Sequence, residues 1–144
     1  MDVIEYPVIG LDISKNRIGF ASLDGANAAP FPLFTMEKTT RKRDILECVN
    51  YLQRFKAKTI VIGLPLERDG TFGASATWVR RMARDIKNNI DLPVYLVDER
   101  YTTVLAKEYA VNEPNGDIDA LAAFHILKHF VEIKDKNDED IIIV

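Results

Sequence analysis

Cysteine and tryptophan each occur once in this 144-residue chain, and histidine twice. One thiol rules out a disulfide framework within the chain. Cys48 falls on the apolar side of a predicted helix with Ile45, Val49 and Leu52, which reads as a small core filler. Also missing are any run of eighteen apolar residues and any charged-then-apolar leader, so nothing points to a membrane span or a secretory signal. A cytoplasmic protein is expected. Net positive charge is absent too: 19 bases against 22 acids give -3. Residues 132–144 account for all of it, with five acids and two bases, and the rest of the chain is neutral overall. Within that neutral body, bases cluster at Arg41, Lys42 and Arg43 and again at Arg80, Arg81, Arg84 and Lys87. Local phosphate affinity therefore survives the overall sign, although each base taken singly also reads as part of a solvated helix face.

The chain has the length of one domain. Its organising stretch runs from Val8 to Gly19. Val8, Ile9 and Leu11 are apolar at neighbouring positions, as in a strand covered on both faces, and Asp12 follows them directly. A carboxylate so close to a core needs a basic partner, a hydrogen-bond network or a metal ion, because burying it alone costs several kcal/mol. The plainer alternative is a turn cap through Ser14, Lys15 and Asn16.

Arg17–Leu23 and Phe31–Glu37 complete a three-stranded meander, with Pro30 and Pro32 confining the third strand to an edge or a late start. Thr39 or Thr40 caps a helix carrying Ile45, Cys48, Val49, Leu52 and Phe55 inward. Thr59–Leu64 follows as a buried strand, and residues 63–70 form a polar loop that is a candidate rim of a site. Ser75 or Thr77 opens a second helix with Val79, Met82, Ala83, Ile86 and Ile90 inward and its bases outward. Trp78 reads as packing at its boundary. Pro93–Val97 is another short strand, and it too ends in carboxylates, Asp98 and Glu99. Thr102 or Thr103 caps a short helix through Val111. The last helix begins near Asp117 or Ile118, and 100° per residue places Asp119 on the apolar stripe with Ala122, Ala123, Ile126, Leu127 and Phe130. A first-turn Asp also complements a helix dipole, so both readings stand. His125 and His129 share a face with Lys128 and Glu132 and read as a solvated pair.

Asp12, Glu99 or its neighbour Asp98, and Asp119 thus come from separate parts of the chain. Convergence of such hard oxygen ligands suits Mg²⁺ or Mn²⁺ and the two-ion hydrolysis of phosphodiesters.

The series Gly-Leu-Asp-Ile-Ser-Lys-Asn-Arg-Ile-Gly (10–19), Val-Ile-Gly-Leu-Pro-Leu with Asp-Gly (61–70), Val-Asp-Glu-Arg-Tyr-Thr-Thr (97–103) and Ile-Asp-Ala-Leu-Ala-Ala with Ile-Leu (118–127) resembles the YqgF, or RuvX, family. The resemblance implies an α/β, RNase H-like fold: a mixed five-stranded sheet with antiparallel first strands and helices on both faces. It further implies a metal-dependent nuclease maturing the 5′ end of the small-subunit ribosomal RNA precursor, or a Holliday junction resolvase. YqgF-like domains also occur as binding modules without evident cleavage, which the intact acid set disfavours. An actin-like phosphotransferase, suggested by a similar phosphate hairpin, would need a second lobe for which there is no room.

Carried over by motif, Asp12, Glu99 and Asp119 are the catalytic and Mg²⁺- or Mn²⁺-binding acids, with Asp98 a candidate. Lys15, Arg17, Arg100, Arg80 and Arg81 are the expected nucleic-acid contacts. The partner is structured RNA or branched DNA and not a membrane; monomer or homodimer is left open. Ser14 and Asn16 stand where the family usually has Gly and Lys, and Ser14 is expected to stiffen or crowd the loop. Residues 1–131 make up the family-like domain and 132–144 an acidic tail. The tail is expected to be dispensable and frayed or locally packed rather than an added edge strand.

Overall fold

The computed structural model describes residues 3–100, 117–135 and 141–144. The expected short helix through Val111 lies outside them. The described elements run β1 (Val8–Ile13), β2 (Arg17–Leu23), β3 (Phe31–Glu37), α1 (Arg41–Arg54), β4 (Thr59–Leu64), α2 (Ala74–Asn89), β5 (Val94–Asp98), α3 (Ile118–Ile133) and β6 (Ile141–Ile143).

One sheet has the order β3-β2-β1-β4-β5-β6. β1, β2 and β3 form the antiparallel meander, and β1, β4 and β5 are parallel. Every residue of β1 and of β4 is buried, as the continuous apolar runs require for strands covered on both faces. Ile9, Leu11, Ile60, Ile62 and Leu96 face α1 and α2, while Val8, Val61, Tyr95 and Val97 face α3. The strand period of two therefore supplies two cores. Cys48 is buried in the first, and that burial pushes its thiol up to about 12, which leaves it inert.

The sheet has six strands rather than five, because the segment expected as a frayed tail returns to pair with β5. Ile141 lies opposite Val97 and Ile143 opposite Tyr95, and the Val144 N–H donates to the Val94 carbonyl at 3.0 Å. Ile142 and Val144 pack against the α1/α2 core and Ile141 against the α3 core. Without this pairing β5 would end the sheet with an unpaired row of backbone groups.

Helix starts follow local chemistry. Thr40 caps α1 by accepting from the Arg43 N–H, and Asp117 caps α3 by accepting from the N–H groups of Asp119 and Ala120. α2 starts at Ala74 with Gly73 as its cap residue, one position ahead of Ser75. A Cβ at Gly73 would meet Glu67 Oε1 at 2.0 Å, so the glycine lets this carboxylate lie against the positive end of the helix.

Candidate nuclease site

Asp12 shares the β1 face of Val8 and Gly10, which is the face that α3 covers, and lies opposite Gly19 of β2. Glu99 follows β5 directly, and its N–H extends the parallel ladder by donating to the Leu64 carbonyl at 3.1 Å. Asp119 lies in the first turn of α3. All three carboxylates line one cavity of about 530 Å³ at the carboxyl ends of β1, β4 and β5, where the sheet changes from antiparallel to parallel. Ligand crevices in open α/β sheets form at such a change of direction.

Two glycines make this convergence possible. A Cβ at Gly19 would lie 1.9 Å from the Asp119 carbonyl oxygen, so only glycine lets the first turn of α3 press against β2. A Cβ at Gly63 would meet Ile126 Cδ1 at 2.4 Å and Glu99 Oε2 at 2.6 Å, so the bare backbone there makes room for the catalytic candidate and for α3.

Asp12 and Glu99 are 7% and 8% exposed and hydrogen-bond to each other. A hydrogen bond between two carboxyl groups needs a proton on one of them. Burial, then the Asp12 charge, holds Glu99 well above the ordinary carboxylate range; burial also raises Asp12, against the lowering effect of its bond to Glu99, and Asp119 adds to the rise. The rise is the larger at Glu99. Asp119 is placed differently. Its Oδ2 is 2.9 Å from Arg17 Nε, so its charge is balanced by a cation while it still bears on Asp12. Among the described residues no three acidic, histidine or cysteine side chains form a ready-made metal cluster. The expected trio is thus a buried pair plus one ion-paired neighbour, because Arg17 turns the third carboxylate toward itself. The donor set fits a hard divalent cation: two adjacent buried carboxylates that repel each other when ionised, with a third facing the same cavity.

Of the two candidates at the end of β5, Glu99 lines the cavity and Asp98 does not. Asp98 is taken up by Arg100, whose NH2 lies 2.7 Å from its Oδ2 and whose backbone N–H donates to its Oδ1. Arg100 NH1 also donates to the Arg68 carbonyl, tying the 63–70 loop to the end of β5. Arg100 therefore holds the rim together instead of pointing into the cleft. Lys15 is exposed and lines the cavity. Arg80 and Arg81 are exposed on the outer side of α2, Arg80 over the Phe72 ring at 5.7 Å, and neither lines the cleft.

Ser14 is accommodated without strain. Its N–H and its hydroxyl both donate to the Arg17 carbonyl at 2.9 Å, closing the β1–β2 turn, and the one non-glycine residue with positive φ among those described is Lys56. Glycine's backbone freedom is not used at this position. His125 is half-buried against Phe124 rather than solvated, and neither histidine lines the cavity.

Two residues went unrecognised in the sequence. Trp78 is 37% exposed and walls the cleft instead of packing inside. The Lys38 ammonium sits 3.7 Å from its ring centroid and donates to the Ser14 carbonyl at 3.0 Å. Trp78 was visible as a lone aromatic at a helix boundary, but nothing in the local pattern marks Lys38.

A family model described as "RuvX: Holliday junction resolvase" matches residues 6–133. A "Putative pre-16S rRNA nuclease" of Rippkaea orientalis is 35% identical over 130 residues, covering 86% of this chain and 94% of that protein. One of the same name from Anaeromyxobacter sp. is 34% identical, covering 86% and 95%. Among solved structures, Thermus thermophilus RuvC in complex with a Holliday junction superposes with a TM-score of 0.64 at 13% identity, covering 96% of this chain and all of that one. At that identity the likeness speaks for the fold alone, and it agrees with the RNase H-like sheet described above.

Proposed function

Because the chain belongs to the RuvX family, we propose that it is a divalent-metal-dependent nuclease that matures the 5′ end of the small-subunit ribosomal RNA precursor in the cytoplasm. The observation that carries the reading is the buried Asp12–Glu99 pair at the strand ends, facing Asp119 and Lys15 across one cleft. A pair of buried acids costs stability unless something uses it, and hydrolysis of phosphodiesters is what such a pair can do with hard cations. Asp12 and Glu99 would hold Mg²⁺ or Mn²⁺ through their carboxylate oxygens, with Asp119 as the third ligand. The bound ions supply an activated water and stabilise charge on the leaving oxygen.

The protein's own residues do the rest. Lys15 meets a phosphate at the cleft mouth. The first turns of α2 and α3 both border the cleft, but Glu67 and Asp117 already occupy their N-termini, so phosphate binding there falls to the cations. Arg17 holds Asp119 in place and is itself half-exposed, within reach of phosphate. Arg80 and Arg81 would serve only a strand that continues over α2.

Holliday junction resolution is the second reading, favoured by the family description. It would call for a homodimer, since a four-way junction is cut at two symmetric positions. Purified protein with Mn²⁺ is offered a precursor ribosomal RNA fragment and a four-way DNA junction, alongside Asp12→Asn as control. Cleavage of the RNA at the mature 5′ end, lost in the variant, is expected. Cleavage of the junction alone selects the second reading, and cleavage of neither by the wild type leaves a binding module.

A further inference from the structure

Phosphodiester chemistry needs polar ligands and cations, yet most of the cleft wall is apolar. Ile13, Pro65, Val79, Ile118 and the Trp78 ring surround the carboxylates. Trp78 also walls a neighbouring cavity of about 240 Å³, which it shares with Lys15, Lys38, Arg41 and Asp44. Arg41 there is ion-paired to Asp85, and Asp44 is bonded to the Thr39 N–H, so Lys15 and Lys38 are the cations of this second cavity that form no ion pair with an acid among the described residues. An aromatic face thus separates an acidic cleft from a lysine-bearing one, and Lys15 reaches both.

From this arrangement we propose that the Trp78 side of the cleft is a subsite for one unstacked base of a single-stranded nucleic acid, adjoining the scissile phosphate. The inference rests on the nuclease reading above and adds the state of the substrate. Base-paired nucleic acid presents its phosphates and groove edges, and its bases have no free face to offer an aromatic ring. A cavity of about 530 Å³ lies in the range that encloses small ligands, and a duplex passing over its mouth would leave the apolar wall unfilled. A strand with a splayed base fills it: the base lies on Trp78, its own phosphate meets Lys15, and the next phosphate approaches Lys38. The selection is for unpaired strand and not for a base sequence, because every base has a face that stacks.

Trp78 is the one tryptophan in the chain, so its emission reports the subsite directly. The protein, in chelator so that no cutting occurs, is titrated with a ribo-oligomer of about ten nucleotides, and separately with the same strand annealed to its complement. The expected result is quenching by the single strand and little or none by the duplex. With the variants, which lack that reporter, binding is read from the anisotropy of an end-labelled strand: Trp78→Leu should raise the single-strand Kd by roughly 5- to 150-fold, as expected for one lost base stack, and Trp78→Phe should stay within a few-fold of wild type because the face is kept. Circular dichroism melts check that both variants fold, and if the leucine protein does not, the wild-type quenching contrast and the phenylalanine variant still decide. Equal binding of strand and duplex, absent quenching, or an unchanged Kd in a folded leucine variant overturns the subsite. These outcomes are separate from the Mn²⁺ cleavage assay: quenching without cleavage of any substrate retains the subsite and rejects the nuclease, and cleavage without quenching does the reverse.

Discussion

Asp12 and Glu99 are buried side by side, and the sign of the resulting pH dependence follows from burial. Glu99's ordinary value is 4.5, and the fold raises it well above that. A carboxyl whose folded-state value is raised favours the fold while protonated, so its contribution is intact below the ordinary value and is lost as pH rises through the raised one. Metal-free protein should therefore lose stability as pH climbs from about 4.5 toward neutrality. Glu99→Gln removes the charge that cannot be accommodated. It should raise metal-free stability at pH 8 while abolishing cleavage. Denaturant melts at two pH values check it. Asp119→Asn should behave differently, because Asp119 has Arg17 as partner and Asp117, not Asp119, caps α3. Losing that half-exposed ion pair costs up to about 1 kcal/mol, and relief of the repulsion on Asp12 offsets part of it. Stability near wild type with cleavage down by orders of magnitude is expected. An Asp119→Asn protein that cuts normally would remove Asp119 from the site.

At the scale of elements, the site depends on how closely α3 approaches the sheet. Gly19→Ala puts a Cβ into the Asp119 carbonyl, which is backbone and cannot turn aside. The first turn of α3 must lift away, at a cost of roughly 1–3 kcal/mol for overpacking, and Asp119 moves with it. A lower melting temperature together with lost cleavage is expected, and a variant equal to wild type in both would show that α3 does not set the geometry. β6 makes a second test. Deleting residues 141–144 unpairs the β5 edge and uncovers Ile142 and Val144 from the α1/α2 core. A loss of about 2 kcal/mol, one or two partly buried aliphatic side chains, should follow, with a raised tendency to self-associate through the bare edge. Equal stability and dispersity of the truncated chain would return this segment to the dispensable tail that the charge of residues 132–140 suggests.

For the whole molecule, charge is the governing quantity. Several bases that the sequence offers for phosphate are ion-paired to acids in the fold: Arg41 to Asp85, Arg43 to Glu47, Arg100 to Asp98 and Arg17 to Asp119. Fewer phosphate contacts remain than a count of Lys and Arg implies. With Lys15, Lys38 and one arginine engaged, the log–log slope of single-strand affinity against salt should be only about -2, at roughly 0.7 per phosphate. A slope near zero would remove the cleft from the binding surface, and one of about -5 would bring the α2 arginines into it.

What the sequence determined alone is whatever a short window of residues decides. The apolar run that buries β1, the proline-bounded third strand, the helical stripes and the ordering of the three acids all follow from period and turn chemistry, and together they carry the fold and Asp12. Glu99 came ahead of Asp98 only through the family motif, because the period of two lapses where a strand ends and neighbouring carboxylates then diverge according to their partners. The pairing of Arg17 with Asp119, the seat of Lys38 on Trp78 and the return of β6 to β5 were not legible. Each joins segments far apart in the chain, and only the packing of the finished sheet and helices sets which of them meet.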